Sequence, residues 1–375
     1  MRKLLILFVS ALLPWLSVRS QKPVYKDAGQ PVETRVKDLL NRMTLHEKVL
    51  QLNQYTFGEN DNPNNIGTEV KNLPAEIGSL IYLHTDPKLR NRIQRKAMEE
   101  SRLGIPILFG FDVIHGLRTV YPISLAQACS FNPDLVTQAC GMAAKESVLS
   151  GIDWTFSPMI DVARDPRWGR ISECYGEDPF LVGELGKRMI KGLQQEGLVA
   201  TPKHFAVYSI PVGGRDAGTR TDPHVAPREM RTLYIEPFRK AFCEAGALGV
   251  MSSYNDYDGE PITGSYHFLT EILRHEWGFK GYVVSDSEAV EFLYSKHQVA
   301  ADAVDGAAQV VNAGLNVRTN FTLPENFIRP LRQAISEGKV SMQTIDSRVA
   351  DVLRVKFGMG LFDNPYKGDA KHPEK

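Results

Sequence analysis

From about residue 35 the chain alternates short apolar runs with amphipathic segments of helix length. EIGSLIYL (76–83), IPILFGFD (105–112), IDWTFSPMID (152–161), LVATPKHF (198–205), ALGVMSSYN (247–255) and GYVVSDS (281–287) read as strands, and AGLNVRT (313–319) as a weaker one. The runs are almost continuously hydrophobic, as strands covered on both faces must be. Helical periods lie between them. RVKDLLNRMTLHEKVLQL carries Thr44 and Glu47 at capping-box spacing. Asp86-Pro87 and Asn132-Pro133 each set a capping side chain before a proline at the first helical position. Segments 180–197 and 228–246 read as full helices, and the last one puts Ile345, Val349, Val352 and Leu353 on one face before stopping at Gly358.

Seven such strands, with an eighth expected near VLQLNQY (49–55), predict a parallel α/β fold of the (β/α)8 barrel type, in one domain. A doubly wound sheet is the rival, but neither a GxGxxG nor a Walker loop supports it. Only NDNPNN (60–65) and the tail GDAKHPEK look like free loop.

Composition changes this picture little: 375 residues, 43% hydrophobic and 23% charged, with 44 basic against 44 acidic side chains. Nothing marks an attraction to nucleic acid or anionic membrane, so a small neutral ligand is expected. The start, MRKLLILFVSALLPWLSVRSQ, reads as an export signal over residues 1–20, with Arg2 and Lys3 before the apolar run Leu4–Leu16. It predicts a periplasmic or secreted protein without membrane attachment after signal removal; a membrane anchor is the alternative. Cys129, Cys140, Cys174 and Cys243 lack CxxC or zinc spacing and read as mostly buried thiols. Asn320-Phe321-Thr322 is a formal glycosylation sequon. No metal or other cofactor is expected, since HxH and HExxH are absent and Asp222-Pro-His224 reads as a loop interaction.

In a barrel of this kind, function sits where the strands end. Those ends carry Asp112, Lys203 with His204, Tyr254 with Asn255, and Asp286 with Glu288; the loop after Asp161 adds Arg164, Arg167, Trp168 and Arg170. Each has an ordinary explanation. Asp286 could cap a helix, Lys203 could be a loop lysine, His204 a satisfied core histidine, and the arginines a solvated surface. Hydrogen-bonding groups at several successive strand ends point instead to a pocket.

At these residues the sequence resembles the N-terminal barrel domain of glycoside hydrolase family 3. The resemblance rests on GFDVIHG (110–116), DVARDPRWGRISECYGEDP (161–179), KHF (203–205), VMSSYN (250–255), GFKGYVVSDSEA (278–289) and the closing RVADVLRVKFGMGLFDNPY. It implies a barrel domain over 21–365, with 366–375 a tail or the start of a linker. It also implies exo-acting, retaining hydrolysis of terminal β-D-glucosyl residues from oligosaccharides, with Asp286 as nucleophile and Asp112, Arg170, Lys203, His204 and Tyr254 around the terminal sugar. Ser285 and nearby amides are expected to orient Asp286. The resemblance favours glucose over xylose through Asp112, where xylosidases tend to carry Glu. Lys203 and His204 should face opposite ways on a regular strand, so a shared ligand requires irregular backbone between them.

Two departures stand out. Family members commonly carry Trp after the nucleophile, whereas this chain has Ser287, so a leaving-group wall is missing. The family's usual general acid is a Glu from a following α/β sandwich domain, absent from this sequence; the Asp-His loop of the N-acetylglucosaminidase branch is absent too. Retention needs two carboxyl groups about 5–5.5 Å apart, and Glu288 is the local alternative. A β-xylosidase, a carbohydrate-binding barrel with little turnover and a Schiff-base aldolase using Lys203 remain competing readings.

Overall fold

The computed structural model describes residues 22–58, 69–209 and 222–367; the expected leader at 1–20, the NDNPNN loop and the tail from 368 lie outside them. Five parallel strands run in chain order around one side: β1 (Gln54–Phe57), β2 (Ser79–Tyr82), β3 (Leu108–Phe111), β4 (Trp154–Thr155) and β5 (Val199–Ala200). β6 (Gly249–Ser252) follows, then a small hairpin of β7 (Asp256–Tyr257) and β8 (Glu260–Pro261), then β9 (Tyr282–Ser285) parallel to β6. Single bridges close the ring, from Phe205 to Ser252, Val284 to Val317 and Asn53 to Arg318. The chain around Val317 is thus the eighth stave of a closed parallel barrel.

The weak AGLNVRT run therefore does take its place, through isolated bridges rather than a regular ladder. The strand expected at 49–55 is displaced. Leu45–Leu50 is a helix whose Thr44–Glu47 capping box is fully formed, and β1 begins only at Gln54. Its apolar residues Val49 and Leu50 are buried as a helix face, a role that an apolar run of this length serves as well as a strand does. The helix expected over 228–246 is broken into a short turn, a wider turn at Met230–Tyr234 and a helix at Glu236–Cys243. Pro237, which has no N–H to donate, opens the last piece. Pro158 and Pro202 likewise keep β4 and β5 short.

The lumen is filled by side chains, including Ile81, Leu108, Trp154, Val199, Tyr282 and Val284. Gly110 on β3 makes room for the Trp154 indole: a Cβ there would stand 1.3 Å from the indole nitrogen. Gly110→Ala is expected to destabilise the fold by about 3 kcal/mol, read as a lower denaturant midpoint.

Near the N-terminal ends of the strands, Lys356 of the last helix is fully buried and donates to Gln51 Oε1 (2.6 Å) and the Gly78 carbonyl (2.8 Å). Burial pulls its pKa down to about 7 from 10.5, with Asp153 offsetting only part of the effect. Between those two values the unfolded chain holds a proton that the folded chain has lost. Stability should therefore rise with pH across that window and level off below it. Lys356→Met should flatten the rise, by several kcal/mol over the window, in denaturation curves taken from pH 7 to 10.

Cys140 and Cys174 are buried as expected, but Cys129 and Cys243 are exposed. Asn320 of the sequon is only 2% exposed, which places it out of reach of glycosylation in the folded chain. Asp222 accepts from the backbone N–H of His224 (2.9 Å) and of Gly259 (3.0 Å), a loop contact. Among the described residues no helix is long and apolar enough to cross a membrane.

Candidate active site

The last residues of the strands open into a cavity of about 350 Å3, whose lining includes Asp112, Arg170, Lys203, His204, Tyr254 and Asp286. The six residues that the resemblance assigns to the site are thus brought together, from the ends of β3, β5, β6 and β9 and the loop after β4. Asp286 follows directly on β9, its N–H donating to Ser252 O of β6 at 3.2 Å. Its side chain is 14% exposed. Ser287 N–H donates to its Oδ1 at 2.7 Å. Ser285 plays a different part from the one expected: its hydroxyl accepts from Thr319 N–H at 3.0 Å and ties β9 to the eighth stave. The hydroxyl cannot serve both, because strand neighbours point to opposite faces.

Lys203 and His204 both line the cavity although they are adjacent in the sequence, and the peptide between them is cis. Lys203 Nζ donates to Asp112 Oδ2 at 2.9 Å. That ion pair disfavours a Schiff-base role, since attack on a carbonyl needs a neutral amine. His204 Nδ1 lies 2.9 Å from Asp161 Oδ2, and its backbone N–H donates to the same oxygen at 2.9 Å. Its Nε2 is 3.1 Å from Arg170 Nη1 and 3.4 Å from Asp286 Oδ2. A guanidinium can only donate and a carboxylate can only accept; the shorter contact of Nε2, to Arg170, favours Nε2 as acceptor and the ring proton on Nδ1, directed at Asp161.

Arg170 is held in turn by Glu173, with Nε and Nη2 each 2.8 Å from a carboxylate oxygen. The arginine-rich loop therefore splits. Arg170 and Trp168 are buried, Trp168 against Tyr208, whereas Arg164 and Arg167 are exposed and pair with Glu229 and Asp165. Tyr254 packs against Phe292 and Tyr208 with its ring at the cavity.

Burial raises the pKa of Asp286 above the ordinary carboxylate value, opposed by Lys203, Arg170, the Ser287 N–H and the Tyr254 hydroxyl. Asp161 is raised further, to about 7, chiefly by burial and against the His204 N–H. Lys203 is matched with Asp112 and Arg170 with Glu173, so both cations act on Asp286 while paired elsewhere, and its own close contact is His204 Nε2 at 3.4 Å. Among the described lining residues, Asp112 and Asp286 are the only carboxylates. Glu288 is exposed, outside the lining, with φ of 64°. Asn255 is buried and donates to the carbonyls of Ala206 and Asp256, bracing the loop without lining the cavity.

Two supporting carboxylates escaped the sequence reading. Asp161 was a strand-end acid like the others, a usable signal. Glu173 closes the short helical turn Ile171–Glu173, three residues after Arg170, a spacing at which ion pairs form on a helical turn and which the sequence reading did not use.

The family model described as "Glycosyl hydrolase family 3 N terminal domain" matches residues 44–355. A periplasmic β-glucosidase of Salmonella typhimurium is 37% identical over 337 residues, covering 88% of this chain and 43% of its own length. A putative β-xylosidase of Formosa agariphila is 34% identical over 378 residues, covering 92% of this chain and 48% of its own. Among solved structures, the β-glucosidase of Listeria innocua in complex with isofagomine superposes with a TM-score of 0.82 at 34% identity, covering 91% of this chain and 48% of that one. The chain spans about half the length of the relatives it matches. It belongs to glycosyl hydrolase family 3 and corresponds to that family's N-terminal domain.

Proposed function

We propose that this chain is the nucleophile-bearing barrel, over residues 21–365, of an exo-acting retaining β-glycosidase that removes terminal β-D-glucosyl residues from small oligosaccharides or β-glucosides. The observation that carries the reading is the meeting of Asp286 with Arg170, Lys203, His204 and Tyr254 in one cavity. Asp286 attacks the anomeric carbon, the bond to the leaving oxygen breaks, and a glycosyl ester forms that water then hydrolyses. The nearby cations and the Ser287 N–H favour its ionised form, which the attack requires. Asp112 accepts from sugar hydroxyls remote from the reacting bond, while Lys203 and Arg170 donate to their neighbours. The leaving oxygen needs a proton. We assign that donor to a following α/β domain of the kind the family carries. Leaving groups that are already acidic need little such help.

Trapping with a 2-fluoro β-glucoside tests the nucleophile: peptide mapping should find the label on Asp286, and label elsewhere or none would remove the assignment. None would favour a carbohydrate-binding barrel instead. Relatives named as β-xylosidases support a second reading; kcat/KM on an aryl glucoside above that on the matching xyloside decides for glucose. Export to the periplasm through a leader at residues 1–20 is supported by the Salmonella relative named as periplasmic.

Asp161 serves as a positioning residue through His204. Asp161→Asn should lower kcat/KM about tenfold or more, because an amide can offer the imidazole its N–H and allow the wrong tautomer. Its signature is a changed pH profile, with labelling of Asp286 retained.

A further inference from the structure

Tyr254 stands beyond the end of β6 at Ser252, yet it lines the cavity and its hydroxyl acts on the Asp286 carboxylate. Its sequence neighbours are tied to the loop after β5. Ser253 N–H donates to the Phe205 carbonyl at 2.8 Å, and Asn255 Nδ2 to the Ala206 carbonyl at 3.2 Å. Tyr254 itself is met from another direction. The chain that leaves Asp286 turns through the short helix Phe292–Ser295 and comes back as His297, whose Nε2 lies 2.9 Å from the Tyr254 carbonyl. A carbonyl only accepts, so Nε2 carries the proton. Phe292 of the same segment sets its ring against that of Tyr254, with centroids 5.6 Å apart. The imidazole is buried, and the His297 backbone N–H donates to the Phe292 carbonyl at 2.8 Å. One segment thus holds Tyr254 at both its carbonyl and its ring.

We infer that His297 is a positioning residue for the nucleophile: its imidazole N–H fixes the Tyr254 carbonyl and, through that residue, the hydroxyl that meets Asp286. This rests on the glycosidase reading above and adds to its machinery a residue outside the cavity lining. A buried carbonyl deprived of its donor must find another, which displaces the loop. A small displacement of a group that orients the attacking atom is amplified in the rate.

The test is the rate at which 2,4-dinitrophenyl 2-fluoro-β-D-glucoside modifies Asp286, followed by mass spectrometry; its acidic leaving group needs no proton donor. His297→Leu should lower the inactivation rate constant about tenfold or more and leave the Kd of the inactivator nearly unchanged. His297→Gln, whose amide can donate to the same carbonyl, should recover most of the rate. In the Tyr254→Phe chain, His297→Leu should have almost no further effect, because the hydroxyl it steers is gone. A wild-type rate in His297→Leu, no recovery in His297→Gln, or an undiminished loss in the Tyr254→Phe chain overturns the assignment; the last would mark a merely structural histidine. Should His297→Leu not fold, His297→Asn, too short to reach the carbonyl, takes its place in both comparisons. Absence of labelling in the wild-type chain is a different result: it removes the glycosidase reading, and this inference with it.

Discussion

Asp286→Ala is expected to lower kcat on an aryl β-glucoside by at least about 10^4-fold, with the fold intact by circular dichroism. The size follows from what is lost. On the mechanism proposed above, the side chain forms the covalent bond, and the polar neighbours in the cavity act on it or on the sugar it attacks. Adding azide should restore part of the turnover. A small anion can enter the space vacated by the carboxylate and attack from the same side. Because this replaces two displacements by one, the product should be the α-glucosyl azide, detectable by NMR. Rescue without inversion would mean that the anion acts elsewhere. The acid limb of the wild-type pH profile should lie above the ordinary carboxylate value of 3.8, because burial raises Asp286 and activity is lost as it takes up its proton.

The largest effect on stability is expected far from this chemistry. Arg90 and Asp153 form an ion pair at 3.0 Å in which neither side chain has exposed surface. Asp153 also accepts from the Phe109 N–H at 3.2 Å, and Arg90 bonds the Pro365 carbonyl. The pair thus joins the start of β4 to β3, to the helix Pro87–Glu100 and to the segment after the last helix. Asp153→Ala should cost about 3–5 kcal/mol, since it leaves a guanidinium buried without its counter-charge. The double variant Arg90→Met with Asp153→Leu should be less destabilised than Asp153→Ala alone, and urea denaturation separates the two. If the single variant is as stable as wild type, water must reach the site.

Most of the fold was legible in the chain. The proline-initiated helices and the capping box at Thr44 appear where local chemistry puts them, because caps depend on three or four adjacent residues. The buried strands could be recognised from unbroken apolar runs, and the polar cluster at their ends from composition alone. Strand boundaries were less accessible. Val49 and Leu50 satisfy a helix and a strand equally well by hydrophobicity, and only packing against the rest of the barrel separates them.

By itself the sequence determined the barrel type, the family, and the six polar residues that line one cavity, since apolar periodicity and motif order are local properties of the chain. The tertiary structure alone decided how those six are supported. Asp161 turns His204, Ser285 braces the eighth stave instead of Asp286, and Glu288 lies outside the cavity. Phe321 reaches the rim 35 positions after Asp286 in the sequence. These are contacts between separate loops, and their distances and directions follow from closure of the ring, which no local pattern of residues encodes.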